Sequence, residues 1–152
     1  MTRDELFSYL TNNYQHYKLD NAGDFIVMQV NKEEILQVAK QLKENEITAF
    51  DFLFCQTAVD WISKFEVIYN LTSTEFKHNL ILKVNLEDRN NPEIDSVVSL
   101  WKAAELYECE IYDLFGIRFS GHPTLRRIFL GDDWQGYPLR KDYKDEVNVV
   151  KI

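Results

Sequence analysis

The sequence predicts an α+β fold in two layers: a helix, a strand and a helix, then a three-stranded antiparallel meander, a third helix, and an extended irregular C-terminal tail. Apolar residues recur at helical spacing near the N-terminus, switch to alternation between residues 50 and 86, and return to helical spacing after residue 96. Four of the five Gly and two of the three Pro fall between Gly116 and Pro138. Proline biases the residue before it away from helix, so that stretch is expected to be extended and turn-rich. A chain of 152 residues can bury roughly two-thirds of its unfolded surface, enough for one ordinary domain.

Each element has a local cause. Thr2 and Glu5 form a capping-box pattern, in which hydroxyl and carboxylate satisfy free amides at a helix start. Leu6, Leu10, Tyr14 and Tyr17 then make one apolar face. Asp20-Asn21-Ala22-Gly23 reads as a turn, and Phe25 to Val30 as a short strand. Asn31 and Glu34 repeat the capping-box pattern before a second helix, whose buried face is Ile35, Val38, Ala39 and Leu42 and which ends near Asn45.

Alternation follows in three runs: Phe50, Phe52 and Phe54; Phe65, Val67, Tyr69 and Leu71; and Leu80, Leu82, Val84 and Leu86. Glu66, Asn70, Lys83 and Asn85 on the opposite face predict a sheet covered on one side only. Asp95 or Ser96 is expected to cap the third helix, with Val97, Leu100, Trp101, Ala104, Tyr107 and Ile111 as its stripe and Phe115-Gly116 as its end. The organisation expected is an α+β domain over 1–116 and an extended segment over 117–152, which gains little stability from itself and needs a surface to lie on, either its own domain or a partner.

Composition narrows the function. Apolar residues at 45% and aromatics at 14% exclude a disordered chain. The net charge of −8 opposes non-specific nucleic-acid binding, which rests on excess Lys and Arg. That total is uneven: residues 1–117 carry −10, and residues 118–144 carry +3. Cys55 and Cys109 are far apart in sequence and match no thiolate-cluster, zinc or disulfide pattern, which fits a reducing compartment. The N-terminal MTRDELFSYL has acidic residues where a secretory leader needs apolar ones, and no apolar run approaches the roughly 18 residues of a membrane span. Membrane association is therefore expected to be indirect.

Two constellations carry chemistry. Glu105, Glu108, Glu110 and Asp113 share the third helix at spacings that could bind a metal or form an acid/base pair, or serve as a solvated face pairing nearby arginines. His16, His78 and His122 are scattered; His122, before Pro123, reads as a hydrogen-bonding turn residue. A stand-alone hydrolase would have to use Glu108, Asp113 and His122. No phosphate-binding glycine motif is present. The second constellation is Arg118, Arg126, Arg127, Arg140 and Lys141, interleaved with Phe119, Phe129, Trp134, Tyr137 and Tyr143. Arginine with aromatics is the composition of a protein-interface anchor. Single-stranded nucleic acid suits the same mixture, but the acidic body would repel it. Part of the arginine set is also expected to pair with the chain's own acidic helix.

The stretch from Tyr107 through Glu108-Cys109-Glu110-Ile111-Tyr112-Asp113-Leu114-Phe115-Gly116-Ile117 is followed by Phe119, Gly121-His122-Pro123, Leu125-Arg126-Arg127, Asp133-Trp134, Gly136 and Pro138-Leu139-Arg140-Lys141-Asp142-Tyr143. In that order it strongly resembles the C subunit of respiratory NADH:quinone oxidoreductase, complex I. Val59-Asp60, Phe65-Glu66-Val67-Ile68-Tyr69 and Ser96-Val97 also look like that family, extending the resemblance over about 49–143. Cys109 stands where the family has Arg, Thr124 where Asp or Asn is common, and Tyr137 where His is common.

The resemblance implies a non-catalytic structural subunit of the peripheral arm, binding no cofactor itself, with FMN and iron-sulfur clusters in partner subunits. It implies a D-like quinone-site partner and other peripheral-arm neighbours, with NADH and quinone met only through the complex and no nucleic acid. It places the chain peripherally on the cytoplasmic side of the bacterial inner membrane. The partner-interface residues it implies are Glu108, Glu110, Asp113, His122, Arg126, Arg127, Trp134, Arg140, Lys141, Asp142 and Tyr143. The equivalent subunit of a complex I-like membrane-bound hydrogenase is the alternative.

Overall fold

A computed structural model describes residues 1–145; residues 146–152, the end of the expected C-terminal segment, lie outside the described residues. Helix α1 (Arg3–Asn13) starts on the expected capping box, with the Glu5 amide donating to Thr2 Oγ1 at 3.2 Å and the Thr2 amide to Glu5 Oε2 at 2.8 Å. It buries Leu6 and Leu10, and Tyr14 and Tyr17 extend the same face beyond its end. Strand β1 (Lys18–Asp20), too short for alternation to reveal, pairs antiparallel with β2 (Val27–Val30).

Helix α2 (Ile35–Glu44) buries Ile35, Val38, Ala39 and Leu42 and is capped at Asn45. The second capping box does not form. Glu34 is itself the N-cap, with helical dihedrals and no side-chain cap, because its carboxylate accepts the Tyr17 hydroxyl instead.

The meander is β3 (Phe52–Asp60), β4 (Phe65–Thr72) and β5 (Asn79–Leu86). It lies within a five-stranded sheet of order β1-β2-β5-β4-β3, where β2 runs parallel to β5. Phe65, Val67, Tyr69, Leu71, Leu80, Leu82, Val84 and Leu86 are buried, as the alternation predicts. Each such side chain contributes roughly 1.5–3 kcal/mol of apolar burial.

The first run is different. Phe50 is buried ahead of the strand, whereas Phe52 and Phe54 point outward and Leu53 enters the core. A register shift between Leu53 and Cys55 breaks the alternation and turns Gln56, Ala58 and Asp60 inward. On the opposite sheet face Asn70, Lys83 and Asn85 remain half-buried, but Glu66 is covered by Trp61, whose Nε1–H donates to it at 3.4 Å.

Helix α3 (Ala104–Phe115) begins later than expected. Asp95 ends a short strand, β6 (Glu93–Asp95), and Ser96, whose hydroxyl donates to Glu108 while its oxygen accepts the Val98 amide at 3.2 Å, heads a turn rather than the helix; turns at 98–100 and 102–103 intervene before Ala104. The helix stops where the sequence says, with Gly116 at φ +75° and its amide on Tyr112 O at 2.8 Å. The body does not stop there. Strand β7 (Arg118–Ser120) pairs parallel with β6, and Ile117 and Phe119 are buried. These two apolar side chains, just beyond Gly116, join the core.

Candidate functional site

The third helix and the end of β3 hold three buried carboxylates, and each is filled by donors from elsewhere in the chain. Glu108, fully buried, accepts Ser96 Oγ–H at 2.5 Å, Val97 N–H at 3.1 Å and Gln56 Nε2–H at 3.1 Å. Burial pushes its carboxyl above the ordinary range despite these three donors.

Asp113, also fully buried, receives the tail. Its Oδ2 accepts the backbone amides of Ile128, Phe129 and Leu130 at 3.1, 2.7 and 3.1 Å, and its Oδ1 accepts Arg127 Nη1–H at 2.9 Å. Burial alone would raise this carboxyl, but the Phe129 amide, the Arg127 guanidinium and the Leu130 and Ile128 amides together hold it below its usual value.

Asp60 closes the arrangement. It accepts both terminal nitrogens of Arg89 at 2.5 and 3.1 Å, the Ile62 amide at 2.8 Å and the Lys141 amide at 2.8 Å. The Arg89 hydrogen bonds dominate, overcoming the opposing effect of burial and holding Asp60 far below the usual carboxylate range.

Arginines and aromatics order the tail and the body between these carboxylates, and Arg140 over Phe65 joins the two. Arg127 lies 4.9 Å from the Tyr137 ring, Arg140 5.1 Å from Tyr137 and 5.1 Å from Phe65, and Arg89 4.5 Å from Phe65. Such contacts contribute about 0.5–2 kcal/mol each, more as they are desolvated. Arg140 also donates Nε–H to Phe115 O at 2.5 Å, and Arg127 donates Nη2–H to Gly136 O at 2.9 Å.

The residues expected at a partner interface thus divide. Glu108 and Asp113 are enclosed by the chain itself and present no surface, since each is needed to satisfy internal donors. Arg127 and Arg140 are spent on Asp113, backbone carbonyls and rings. His122 is a turn residue: Nε2 faces Glu105 O at 3.0 Å, and Nδ1 accepts the Thr124 amide at 3.0 Å. Tyr143 packs against Gly136, and Asp142 lies 3.5 Å from Arg89. Exposed are Glu110, Arg126, Trp134, Lys141 and Asp142, joined by Phe129 and Leu139.

Cys109 is buried, with Thr124 O at 3.6 Å, His122 Nε2 at 3.8 Å and Arg126 Nη1 at 3.9 Å. Glu108, Asp113 and His122, the groups a hydrolase would need, are each engaged by different partners: Ser96, Val97 and Gln56 for Glu108, Arg127 and the amides of residues 128–130 for Asp113, and Glu105 O and the Thr124 amide for His122. Among the described residues, no three His, Cys, Asp or Glu side chains come together as a metal site. No helix among them is long and apolar enough to cross a membrane.

Sequence reasoning missed Asp60, Arg89 and Gln56 as members of this arrangement. The signal for them was a carboxylate at an inward position of a strand, which buried charge tolerates only when paired, and one arginine isolated in an acidic body.

The family described as respiratory-chain NADH dehydrogenase, 30 Kd subunit, matches residues 28–148. The chain is 42% identical over 123 residues to the C subunit of NADH-quinone oxidoreductase from Roseiflexus castenholzii, covering 79% of this chain and 70% of that one. With the corresponding C subunit from Trichlorobacter lovleyi it shares 44% over 125 residues, covering 80% and 75%. A match of 43% over 114 residues to the C/D subunit of NADH-quinone oxidoreductase from Phocaeicola vulgatus covers 74% of this chain and only 22% of that longer protein. The fold is similar, with TM-score 0.80 and 24% identity, to a chain in the structure of a membrane-bound sulfane sulfur reductase, an archaeal respiratory membrane complex, covering 93% of this chain and 85% of that one.

Proposed function

Because the chain belongs to the family of the respiratory-chain NADH dehydrogenase 30 Kd subunit, we propose that it is the C subunit of an NADH:quinone oxidoreductase. In this role it is a structural part of the peripheral arm. It contributes to electron transfer from NADH to quinone only within the assembly, while FMN and iron-sulfur clusters belong to neighbouring subunits. Its tail faces a D-like neighbour, and the assembly holds it peripherally on the cytoplasmic side of the inner membrane.

One observation carries this reading. Two of the buried carboxylates, Asp113 and Asp60, fold the tail into a fixed shape on the body, and that shape leaves Phe129, Trp134 and Leu139 in water. Exposed aromatic and aliphatic anchors on a rigid, partly cationic segment suit protein recognition. The fusion of C and D parts in relatives such as the Phocaeicola protein supports a D-like neighbour.

The test is isolation of the tagged full chain from native membranes, followed by identification of its companions and assay of NADH:quinone turnover. Recovery with NADH-quinone oxidoreductase subunits and activity in the assembly is expected. Recovery alone, or with a hydrogenase whose D-like subunit ligates nickel, would overturn the assignment.

A further inference from the structure

Five side chains from the tail and the body form one continuous stack. The Arg127 guanidinium lies 4.9 Å from the Tyr137 ring, Arg140 lies 5.1 Å from both Tyr137 and Phe65, and Arg89 lies 4.5 Å from Phe65. Cation and ring therefore alternate from Arg127 to Arg89, and each ring holds two guanidiniums by its π-electrons. A buried carboxylate ends the stack on either side. Asp113 accepts Arg127 Nη1–H at 2.9 Å, and Asp60 accepts both terminal nitrogens of Arg89.

The same two carboxylates fasten the tail. Asp113 Oδ2 accepts the amides of Ile128, Phe129 and Leu130, and Asp60 Oδ2 accepts the amide of Lys141 at 2.8 Å. Between these ends Arg127 donates to Gly136 O at 2.9 Å, the Leu139 amide to Leu114 O at 3.0 Å and Arg140 Nε–H to Phe115 O at 2.5 Å. Tyr137 is the shared member: it lies against both tail guanidiniums, against Gly116, and 6.2 Å from the Tyr112 ring. Withdrawing Arg127 from Asp113 draws Gly136 and Tyr137 with it, and Arg140 then loses one of its two rings. Opening one end alone strips a buried charge of its partners while the segment still docked keeps water out, whereas release of the whole tail lets water reach all of its groups at once.

We propose that residues 126–143 are a strap with two positions, docked and released, and that the stack from Arg127 to Arg89 makes the change between them all-or-none. Phe129, Trp134 and Leu139, exposed on the docked strap, are then presented together or not at all. A surface that grips any one of them steadies the Lys141 amide on Asp60 as well, because it binds only the docked population.

The test is native-state hydrogen exchange on the isolated full chain, over urea concentrations below its unfolding transition. The amides of Ile128, Phe129, Leu130, Leu139 and Lys141 should share one opening with one urea dependence, about tenfold or more above the opening of β4 and β5. Asp113→Asn should accelerate exchange at Lys141 by the same factor as at Phe129, although Lys141 donates to the other carboxylate. Tyr137→Leu keeps both carboxylates and every fastening amide, yet should split the two ends, leaving the protection factors of Phe129 and Lys141 about tenfold apart. In the wild-type chain, separate openings of the two ends, or exchange at either end only together with β4 and β5, would overturn the strap without any variant having to fold. A Lys141 amide that keeps its wild-type rate in Asp113→Asn, or two ends that still open together in Tyr137→Leu, would overturn the part given to the stack.

Discussion

The ring of Tyr137 lies so close over Gly116 that a Cβ at position 116 would stand 2.7 Å from its Cδ2 and Cε2 and 2.8 Å from Arg140 Nη2. The helix end and the tail are therefore one packed unit. Gly116 satisfies two demands at once: the left-handed cap at φ +75° and the close approach of the tail. Gly116→Ala should lower stability by about 1–2 kcal/mol from backbone strain alone, with a further loss from displacing Tyr137. Thermal unfolding checks the total, and increased protease cutting between residues 126 and 143 checks the displacement.

Asp113→Asn should release the tail more than it harms the body. An Asn amide must turn its NH2 toward either the Arg127 guanidinium or the three amides of residues 128–130, setting donor against donor. Breaking a buried charged pair by changing one partner costs about 3–5 kcal/mol. Hydrogen exchange at Ile128, Phe129 and Leu130 should accelerate by orders of magnitude, while the amides of β4 and β5 remain protected.

Acid should loosen the junction in a defined direction. Asp60 has a folded-state pKa depressed below its ordinary 3.8, chiefly by Arg89, and Asp113 is depressed as well, its amide and guanidinium donors outweighing burial. A depressed carboxyl contributes stability that is fully present above about 3.8 and is lost as pH falls through the folded value. Glu108 runs the other way: burial raises its pKa above 4.5, so its contribution declines as pH rises through that raised value. Asp60→Asn should reduce stability near neutrality by about 3 kcal/mol and flatten the acid limb of a urea-denaturation series below pH 3.8. An unchanged acid limb would contradict the role given to this carboxylate.

The two thiols should differ in reactivity. Cys55 is half-buried on β3, whereas Cys109 is buried under residues 122–126. Alkylation of the native chain should modify Cys55 first, and Cys109 should become reactive in Asp113→Asn, where the adjoining tail is released. Mass spectrometry of timed samples distinguishes the two sites.

Local chemistry written in the sequence was sufficient for much of this molecule. The Thr2-Glu5 capping box, the apolar stripe of α2, the alternation of β4 and β5 and the glycine stop at 116 each depend on residues a few positions apart, so their spacing predicts them. The ordered motif from Tyr107 to Tyr143 likewise identified the family. Phe52 and Phe54 misled because a bulge reverses which side of a strand faces the core, and a bulge is settled by pairing with β4 rather than by the run itself. Ser96 also reads as a helix cap when only its neighbours are considered, yet its oxygen accepts the amide of Val98 in a turn and its hydroxyl donates to Glu108, while the helix itself starts only at Ala104. The roles of the charged residues were decided by tertiary structure alone. Charge patterning placed arginines in the tail and carboxylates in the body. Only folding chose Asp113 for Arg127 and Asp60 for Arg89 and Lys141, because a buried carboxylate is tolerated only where enough donors, drawn from distant segments, converge on it.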